Sequence, residues 1–335
     1  MIEDIELIEI LEHGYGFMLK GCIPTKGGFS SKAAYLLITE DTDEYFLKVY
    51  DNTIPTTRSY VNHIDTYMSI LHKLSLNPAL AKHVPIPIPN CEGGFKVEAG
   101  DITVVIFQYV SGDCPGITGI TQTQTMELAE ILAMLHKIDL SAFCGFPELL
   151  KDTALEQCDY LTHCIRHSRE LPNELNVILS KNERLISKAV EETVFQHSIM
   201  EKRHYPLVLC HGDAHGNNVI QGKHLVLVDW EDMHIAPAEA DLFISAWCPY
   251  GTLLLDTYTT AMNQYSIDMQ LLRYYTLFRK LEDLSVDIKR ITEEAPTDIE
   301  KVKLLSWMRE SIEKIMEIVP MNSFTNNTCL KHLDE

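Results

Sequence analysis

The feature of this chain that most constrains its fold is an abrupt change of sequence pattern at residues 111–119, SGDCPGITG. Before this segment the sequence consists largely of short apolar or alternating runs, which are typical of β-strands. After it, apolar residues recur at the spacing of amphipathic helices. Glycine, proline, serine and aspartate cluster in the segment itself, as in a linker. The pattern predicts an α+β protein of two lobes, a β-rich lobe of residues 1–110 and a helical lobe of residues 111–335.

The first lobe is predicted to contain a β-sheet that carries one helix. The strand signals are the segments FMLKGCI, AAYLLIT, YFLKVY, GGFKVE and ITVVIFQYV. The helix is expected from about Thr57 to Leu76. A separate helix is predicted over residues 2–13, where Gly14 supplies a C-terminal stop.

The charge of the chain favours some partners over others. There are 48 acidic and 28 basic residues, which gives a formal net charge of −20. A field of that sign repels nucleic acid and attracts cationic small molecules, although an acidic surface also serves solubility alone. We therefore expect a cationic small-molecule substrate, no nucleic-acid partner, and a chain that acts as a monomer or weak dimer.

Hydropathy and cysteine usage bear on location. The longest apolar run, ITVVIFQYV, is about half of the ~20 residues that a helix needs to span a bilayer. The N-terminal segment MIEDIELIEI is acidic, whereas a signal peptide is positively charged there. The nine cysteines are scattered and form no CxxC pair, and the segment CDYLTHCIRH matches no common zinc spacing and is interpreted as an amphipathic helix. These observations predict a cytoplasmic protein that does not bind membranes.

The segment LCHGDAHGNNVI carries the strongest chemical signal. Asp213 and Asn218 lie in it, separated by four residues, and Asp229 opens the segment DWED after two short apolar runs joined by QGKH. Gly222 suits a tight hairpin at that junction, which would bring Asp229 back beside the loop. Asn218 and Asp229 would then supply oxygen ligands for Mg²⁺, which usually takes one or two protein oxygens together with phosphate oxygens. Asp213 would face a substrate hydroxyl group, as in the division of labour found in kinases.

The same segment has two alternative interpretations. Aspartate and asparagine are common in turns, so their spacing alone arises often by chance. GDAHGN also resembles the GD-x-HG element of metallophosphoesterases, but the further boxes that complete a two-metal site do not follow residue 218. The order of strand, loop, hairpin and Asp229 favours the kinase interpretation. In that interpretation His211 and His215 hold the loop together by hydrogen bonds.

An upstream lysine agrees with this chemistry. Lys48 lies inside the apolar run YFLKVY, where a lysine needs a partner to stay charged. Pairing with phosphate fits, and so does a lysine that reaches solvent from a sheet edge. The glycines of KGGFSSK, Gly27 and Gly28, allow backbone N–H groups to approach phosphates, with a plain Gly-Gly hairpin as the alternative. The order of loop, strand and lysine favours a nucleotide-binding lobe.

Together these segments resemble the aminoglycoside phosphotransferase and choline kinase family, which shares the bilobal protein-kinase-like fold. The resemblance extends over nearly the whole chain, through KGGFSSKAAYLL, YFLKVY, VIFQYVSG, ELAEILAMLHKID, HGDAHGNNVI and LVDWED. The H-G-D-x-x-x-x-N motif and the D-W-E after it are highly specific, whereas the glycine loop is not. Within the family, VDWEDMHIAPAEADLF and YYTLFRKLEDLSVDI are most similar to spectinomycin phosphotransferases.

The resemblance implies a role for each matching residue. Asp213 would accept or orient the proton of the substrate hydroxyl, and Asn218 and Asp229 would bind Mg²⁺. Lys48 would contact the α- and β-phosphates of ATP, with GTP as a second candidate donor. The remaining nucleotide contacts would come from the glycine loop and from the backbone that reads the base: Gly27, Gly28, Ser30, Gln108, Tyr109 and Val110.

The chain departs from the family pattern at the partner of Lys48. The family pairs this lysine with a glutamate on a helix of the first lobe, but residues 52–90 contain no glutamate. The only acid in that range is Asp65, whose side chain is one methylene shorter. Asp65 is therefore the expected partner of Lys48 and part of the cofactor-binding site.

The resemblance also implies a substrate, a hydroxyl group of an aminoglycoside or aminocyclitol antibiotic of the spectinomycin kind, and hence a role in antibiotic resistance. Acidic side chains that could bind its ammonium groups, each with a solvated helix face as the more common explanation, are Glu231, Asp232, Glu239, Glu282, Asp283 and Asp287. A kinase of choline, homoserine, a sugar or a glycated amine would share every motif. A further alternative is a non-catalytic nucleotide-binding module, and only the missing glutamate supports it.

Overall fold

The computed structural model describes residues 4–25, 31–143, 145–150 and 152–319. The chain forms two compact units that interleave along the sequence, Met1–Phe146 with His211–Met233 and Pro147–Cys210 with His234–Glu335. These units do not coincide with contiguous lobes of residues 1–110 and 111–335. The difference arises because the segment after residue 210 folds against the linker, as described below.

The helices of the described residues are, in chain order, α1 (Asp4–Tyr15), α2 (Pro55–Val61), α3 (Ile64–Ser75), α4 (Gln122–Leu135), α5 (Ala154–Arg166), α6 (Asn173–Met200), α7 (Glu239–Leu242), α8 (Gly251–Ala261), α9 (Met269–Glu293) and α10 (Asp298–Ile318). The strands are β1 (Leu19–Thr25), β2 (Ala33–Thr39), β3 (Glu44–Asp51), β4 (Lys96–Ala99), β5 (Ile102–Gln108), β6 (Val208–Cys210), β7 (Val219–Gln221), β8 (Leu225–Leu227) and β9 (His234–Ala236).

The first unit is built on an antiparallel five-stranded sheet with the strand order β1-β2-β3-β5-β4. Leu47 and Val49 of β3 face one side of this sheet, where they pack with α1 in an apolar cluster. Alternate residues of a strand point to opposite faces, so Lys48 and Tyr50 lie on the other side. There the hydroxyl of Tyr50 lies 3.4 Å from that of Tyr67 on α3. The sheet therefore presents Lys48 away from its α1 side.

The five predicted strands of this unit are confirmed, but the predicted helices have different ends. The helix expected from Thr57 to Leu76 is two helices, because His63, with φ −107° and ψ 1°, lies outside helical geometry between α2 and α3. The N-terminal helix continues past Gly14 to Tyr15. It ends there because Gly16 takes the left-handed conformation, with φ +71°.

The predicted hairpin between Asn218 and Asp229 is formed by β7 and β8, which pair antiparallel. The linker lies directly against it, since the backbone N–H groups of Asp113 and Gln221 donate to each other's carbonyl oxygens at 3.2 and 2.8 Å. The N–H of Gly116 likewise donates to the carbonyl oxygen of Gly216 at 3.1 Å, where a Cβ on Gly216 would collide with the Gly116 carbonyl. These backbone contacts join the segment 211–233 to the first unit.

The second unit is mainly helical. Helices α5, α6, α9 and α10 pack around an apolar core that includes Leu179, Leu284 and Met308. Cys158 and Cys164 of CDYLTHCIRH face this core from α5, which confirms that the segment is an amphipathic helix. With a strand-rich first unit and a helical second unit, the predicted α+β class is confirmed. Within the described ranges, no helix is both long and apolar enough to cross a bilayer.

Candidate active site

Asp213 lies in the loop before the short 3-10 turn Gly216–Asn218. The side-chain nitrogen of Asn218 donates to Oδ2 of Asp213 at 2.8 Å and to the Asp213 backbone carbonyl at 2.9 Å. Asn218 is buried, so these bonds are protected from competition with water. An amide that donates through its nitrogen presents its oxygen as an acceptor. Asn218 therefore fixes the Asp213 carboxylate and offers an oxygen of its own.

His211 supports this loop from within. Its Nε2 lies 3.0 Å from the carbonyl oxygen of Val228, and its Nδ1 lies 3.2 Å from the backbone nitrogen of Asp213. With the proton on Nε2, the ring donates to Val228 and accepts from Asp213. The indole of Trp230 packs edge-on against the ring, with 4.6 Å between centroids. His211 is thus a scaffold, as expected, while Nε2 of His215 lies 3.4 Å from Oδ1 of Asp213.

Asp229 follows the hairpin and forms an ion pair with Lys48. Burial alone would raise the pKa of Asp229, but the charge of Lys48 and hydrogen bonds to neighbouring groups hold that pKa below its usual range. The backbone of Asp229 is left-handed, with φ +71°. Such geometry is costly for a residue with a side chain and is concentrated at functional sites. Asp229 is therefore an ionised carboxylate held in a specific, strained position.

Glu231 is the second carboxylate on Lys48. Its Oε1 accepts from Nζ of Lys48 at 2.5 Å and from the hydroxyl of Tyr50 at 2.7 Å. Burial, with the Asp229 charge second, raises the pKa of Glu231 to about 7. The sequence-based expectation that Glu231 binds substrate is not met, because its carboxylate is buried and occupied by these internal donors.

The expected contact between Asp65 and Lys48 is not formed. Its Oδ2 lies 3.1 Å from Nζ of Lys96 on β4, and its side chain is 62% exposed. The charges that act on the pKa of Lys48 are instead Asp229 and Glu231, which raise that pKa against the lowering effect of burial. The partner of Lys48 is thus supplied by the segment after the hairpin rather than by helix α3.

Gly27, Gly28 and Ser30 of the glycine loop lie outside the described residues. The strands that flank the loop, β1 and β2, are antiparallel neighbours in the sheet.

The segment expected to read the nucleotide base follows the end of β5. The N–H of Gln108 donates to the carbonyl oxygen of Ile86 at 2.8 Å, and the N–H of Tyr109 donates to that of Glu44 at 3.1 Å. Two backbone donors of this segment are thus used within the protein. Contacts with a base would come from the carbonyl groups of the segment and from the backbone of Val110.

Two more expected substrate carboxylates follow Asp229 in the sequence. Asp232 is half-buried. Glu239 is buried in the second unit, where it accepts from the backbone N–H of Asp268 at 2.9 Å and from the hydroxyl of Tyr265 at 3.2 Å. Glu239 therefore serves the fold of the second unit, in contrast to its expected role, because its oxygens already hold internal hydrogen bonds.

The acidic residues of α9 have cationic neighbours on the same helix. Asp283 lies 3.1 Å from Nε of Arg279 and 2.8 Å from Nζ of Lys280, and Glu282 lies 3.7 Å from Arg279. Asp287 is buried, and burial, with the Asp283 charge second, raises its pKa to about 8. The charge that a cationic substrate would meet on this helix is smaller than the sequence suggests.

Sequence reasoning missed the two tyrosines beside Lys48. Tyr50 had a usable signal, since it follows Lys48 by two positions in a strand and therefore shares its face. Tyr67 had none, because its contact with Tyr50 depends on how α3 packs on the sheet. Both hydroxyls lie in a buried environment that raises their pKa above the usual range.

Asn218 and Asp229 together fit a small divalent cation. The backbone N–H of Val228 donates to the carbonyl oxygen of Asn218 at 2.8 Å, so Asp229 directly follows a residue bonded to Asn218. The two side chains offer an amide oxygen and an ionised carboxylate. Hard oxygen donors of this kind are the protein ligands that Mg²⁺ takes.

The sequence matches a model of the phosphotransferase enzyme family over residues 22–275. This range contains Lys48, Asp213, Asn218 and Asp229. None of the curated protein sequences matches the chain.

The fold is also similar to that of solved structures. One is a spectinomycin phosphotransferase in complex with ADP and spectinomycin, at 18% identity and a TM-score of 0.72 over 95% of this chain and 98% of that one. Another is an amicoumacin kinase in complex with AMP-PNP and Ca²⁺, at 13% identity and a TM-score of 0.64 over 96% of both chains. A third is a macrolide 2'-phosphotransferase from Brachybacterium faecium, at 11% identity and a TM-score of 0.56 over 96% of this chain and 98% of that one.

Proposed function

This chain belongs to the phosphotransferase enzyme family, and we propose that it transfers the γ-phosphoryl group of ATP to a hydroxyl group of a cationic small molecule. One observation carries the proposal: two pairs of residues with complementary chemistry lie in the first unit. Asn218 is hydrogen-bonded to Asp213, and Asp229 is paired with Lys48, which lies 181 residues away in the sequence.

Asp213 is the residue that we assign to the acceptor hydroxyl. The acceptor oxygen forms a bond to the γ-phosphorus, the bond from that phosphorus to the β–γ bridging oxygen breaks, and ADP leaves with the electron pair. The hydroxyl proton passes to a carboxylate oxygen of Asp213. Because phosphoryl transfer requires little covalent work from the protein, orientation of the hydroxyl is the main contribution. Asn218 supports that orientation by donating one bond to the Asp213 carboxylate and one to the Asp213 backbone carbonyl.

Lys48 is assigned to the α- and β-phosphates of the nucleotide, with ATP as the donor and GTP as the second candidate. Its ammonium group is kept charged by Asp229 and Glu231 although it is buried. Asn218 and Asp229 are the residues that would hold Mg²⁺, which neutralises charge on the phosphate oxygens when bound. The glycine loop and residues 108–110 are assigned to the rest of the nucleotide.

For the acceptor we propose an aminoglycoside or aminocyclitol antibiotic of the spectinomycin kind, so that the enzyme confers antibiotic resistance in the cytoplasm. The similarity to a spectinomycin phosphotransferase supports this acceptor. The net charge of −20 supports a cationic one. We further propose that the protein acts as a monomer or weak dimer and that Asp232, which is half-buried, contributes to binding the acceptor.

The test is ADP release from ATP and Mg²⁺, coupled to a spectrophotometric readout, across a panel of spectinomycin, aminoglycosides and small hydroxylated metabolites. We expect turnover with spectinomycin or an aminoglycoside and none without an acceptor. Turnover on metabolites alone would overturn the resistance role. ADP binding without turnover on any acceptor would identify a non-catalytic module.

A second candidate is a kinase of a less cationic metabolite, such as choline, homoserine, a sugar or a glycated amine. It is favoured by the state of the expected substrate carboxylates, since Glu231 and Glu239 are buried with internal donors and Asp283 is neutralised by Arg279 and Lys280. Fewer open carboxylates fit an acceptor with fewer ammonium groups. The same panel separates the two candidates.

A further inference from the structure

The acid that a nucleotide-binding lysine requires is absent from the helix where the family carries it. Residues 52–90 contain no glutamate, and the single aspartate there, Asp65, lies 3.1 Å from Lys96. Lys48 is nevertheless buried, with only 6% of its surface exposed, so it needs a fixed counter-charge.

Glu231, together with Asp229, meets this need from a different part of the chain. Its Oε1 bridges two donors of the same strand, Nζ of Lys48 at 2.5 Å and the hydroxyl of Tyr50 at 2.7 Å. Lys48 and Tyr50 are two positions apart in β3 and therefore point to the same side. A single carboxylate oxygen is thus held between two groups whose separation the strand sets.

We propose that Glu231 is a positioning residue for the nucleotide, which replaces the missing helix acid by holding the Lys48 ammonium in place with the help of Tyr50. This inference rests on the proposed function. Glu231 acts through Lys48 and touches neither the acceptor nor the transferred group.

The arrangement also assigns two tasks, holding Lys48 and binding a divalent cation, to two different carboxylates. Asp229 pairs with Lys48 and is at the same time the carboxylate that fits a divalent cation. If Asp229 were the only partner of Lys48, the lysine would stay paired with Asp229 and neutralise the charge of the Asp229 carboxylate. With Glu231 as the second partner, Lys48 keeps a fixed position while Asp229 serves the cation.

The test is a double-mutant cycle between Lys48 and Glu231, read as ADP affinity. Displacement of a fluorescent nucleotide is measured in EDTA, so that no divalent cation contributes, for the wild type, Glu231→Gln, Lys48→Met and the double variant. We expect Glu231→Gln to weaken ADP binding about tenfold in the wild-type background and by less than about twofold in the Lys48→Met background, since coupled residues are non-additive. Lys48→Arg replaces Lys48→Met as the background if the latter does not fold.

Three further variants sharpen the cycle. Glu231→Asp, which keeps the charge but shortens the side chain, should recover part of the affinity, and Tyr50→Phe should cost less than Glu231→Gln. Glu98→Gln, an exposed partner of Lys96, is the matched control and should leave the affinity unchanged. In the coupled assay, Glu231→Gln should raise KM for ATP more than it lowers kcat.

Three outcomes overturn the inference. Additive losses of ADP affinity in the cycle would show that Glu231 acts independently of Lys48. A larger Mg²⁺ requirement with unchanged ADP affinity in EDTA would identify Glu231 as a cation ligand instead. An equal loss on Asp65→Asn would return the role to the helix acid. Failure of the proposed function looks different, because the wild type would then bind no ADP or would transfer no phosphoryl group to any acceptor.

Discussion

Two groups of carboxylates in this protein are neutralised in different ways. Around Lys48, Asp229 and Glu231 share one buried lysine from which they are 181 and 183 residues distant in the sequence. On α9, Asp283 pairs with cations three and four residues before it. Pairs of the second kind form on many helix surfaces and contribute little to stability. Ion pairs between residues far apart in the sequence form only when the chain folds. The cluster of Lys48, Asp229 and Glu231 is therefore the better marker of function.

The largest loss of stability is expected when Lys48, the lysine that Asp229 and Glu231 share, is replaced. Lys48→Met leaves the buried Glu231 and the half-buried Asp229 without their shared counter-charge, and we expect the free energy of unfolding to fall by about 3 kcal/mol or more. Urea denaturation followed by tryptophan fluorescence measures the change. The matched variant on α9 is Lys280→Met, for which we expect a loss of about 1 kcal/mol. Equal losses for the two variants would remove the distinction between the clusters.

A second prediction concerns Asp287, which is a buried acid on α9, the helix that also carries the local ion pairs of Asp283. In the folded protein burial, with the Asp283 charge second, raises its pKa to about 8 from an ordinary 3.8. The folded state therefore retains a proton that the unfolded chain releases, and the stabilising effect of that proton is lost as the pH rises from about 4 through 8. Asparagine resembles the protonated acid, so Asp287→Asn should be more stable than the wild type by on the order of 2 kcal/mol at pH 8.

Urea denaturation of both proteins between pH 4 and 8 checks this prediction, and we expect the difference to vanish at the acidic end. A difference that stays constant across that range would mean that the Asp287 carboxyl titrates normally in the folded protein.

Segments that are far apart in the sequence also contact each other through their backbones. A Cβ on Gly216 would collide with the carbonyl of Gly116, whereas a Cβ on Gly145 meets no atom within 4 Å. Gly216→Ala should therefore lower the free energy of unfolding by about 1–3 kcal/mol and slow turnover, because it displaces the loop that carries Asp213. Gly145→Ala should change neither by a measurable amount. Thermal unfolding and the coupled assay report the two effects, and an unaffected Gly216→Ala would show that the linker does not fix the loop.

The smallest effect is expected from the local pairs. Asp283→Asn removes the carboxylate shared by Arg279 and Lys280, and we expect a change in the free energy of unfolding of about 0.5 kcal/mol or less. The same urea series measures it. A loss as large as that of Lys48→Met would mean that local pairs on α9 hold the second unit together.

Much of the site was predictable because its signals are local. Asp213, Asn218 and Asp229 were placed together from the hairpin between them, and the strands of the first unit were evident from alternation along short runs. The composition of residues 111–119 predicts a linker, but it does not predict the contact of that linker with residues 216–221. Backbone hydrogen bonds such as that between Asp113 and Gln221 join distant segments and leave no pattern in either segment.

The assignment of Asp65 shows where spacing alone misleads. Residues of a helix advance by about 100° each, so Asp65 and Tyr67 point in nearly opposite directions. Because Tyr67 faces Tyr50 and the sheet, Asp65 faces Lys96 and solvent. The spacing of Asp65 from Lys48 along the chain does not determine the rotation of α3, which begins after the non-helical residue His63. The sequence marks Glu231 only as an acid that could bind substrate, because its burial depends on contacts with β3.

The most direct test of the phosphotransfer mechanism compares the wild type with Asp213→Asn. Formation of the phosphorylated acceptor is followed by mass spectrometry, together with ADP affinity for both proteins. We expect turnover to fall by about 10²–10⁴-fold, while ADP affinity stays within about twofold because the nucleotide contacts are untouched. Unchanged formation of the phosphorylated acceptor by Asp213→Asn would contradict the assignment of Asp213 to the acceptor hydroxyl.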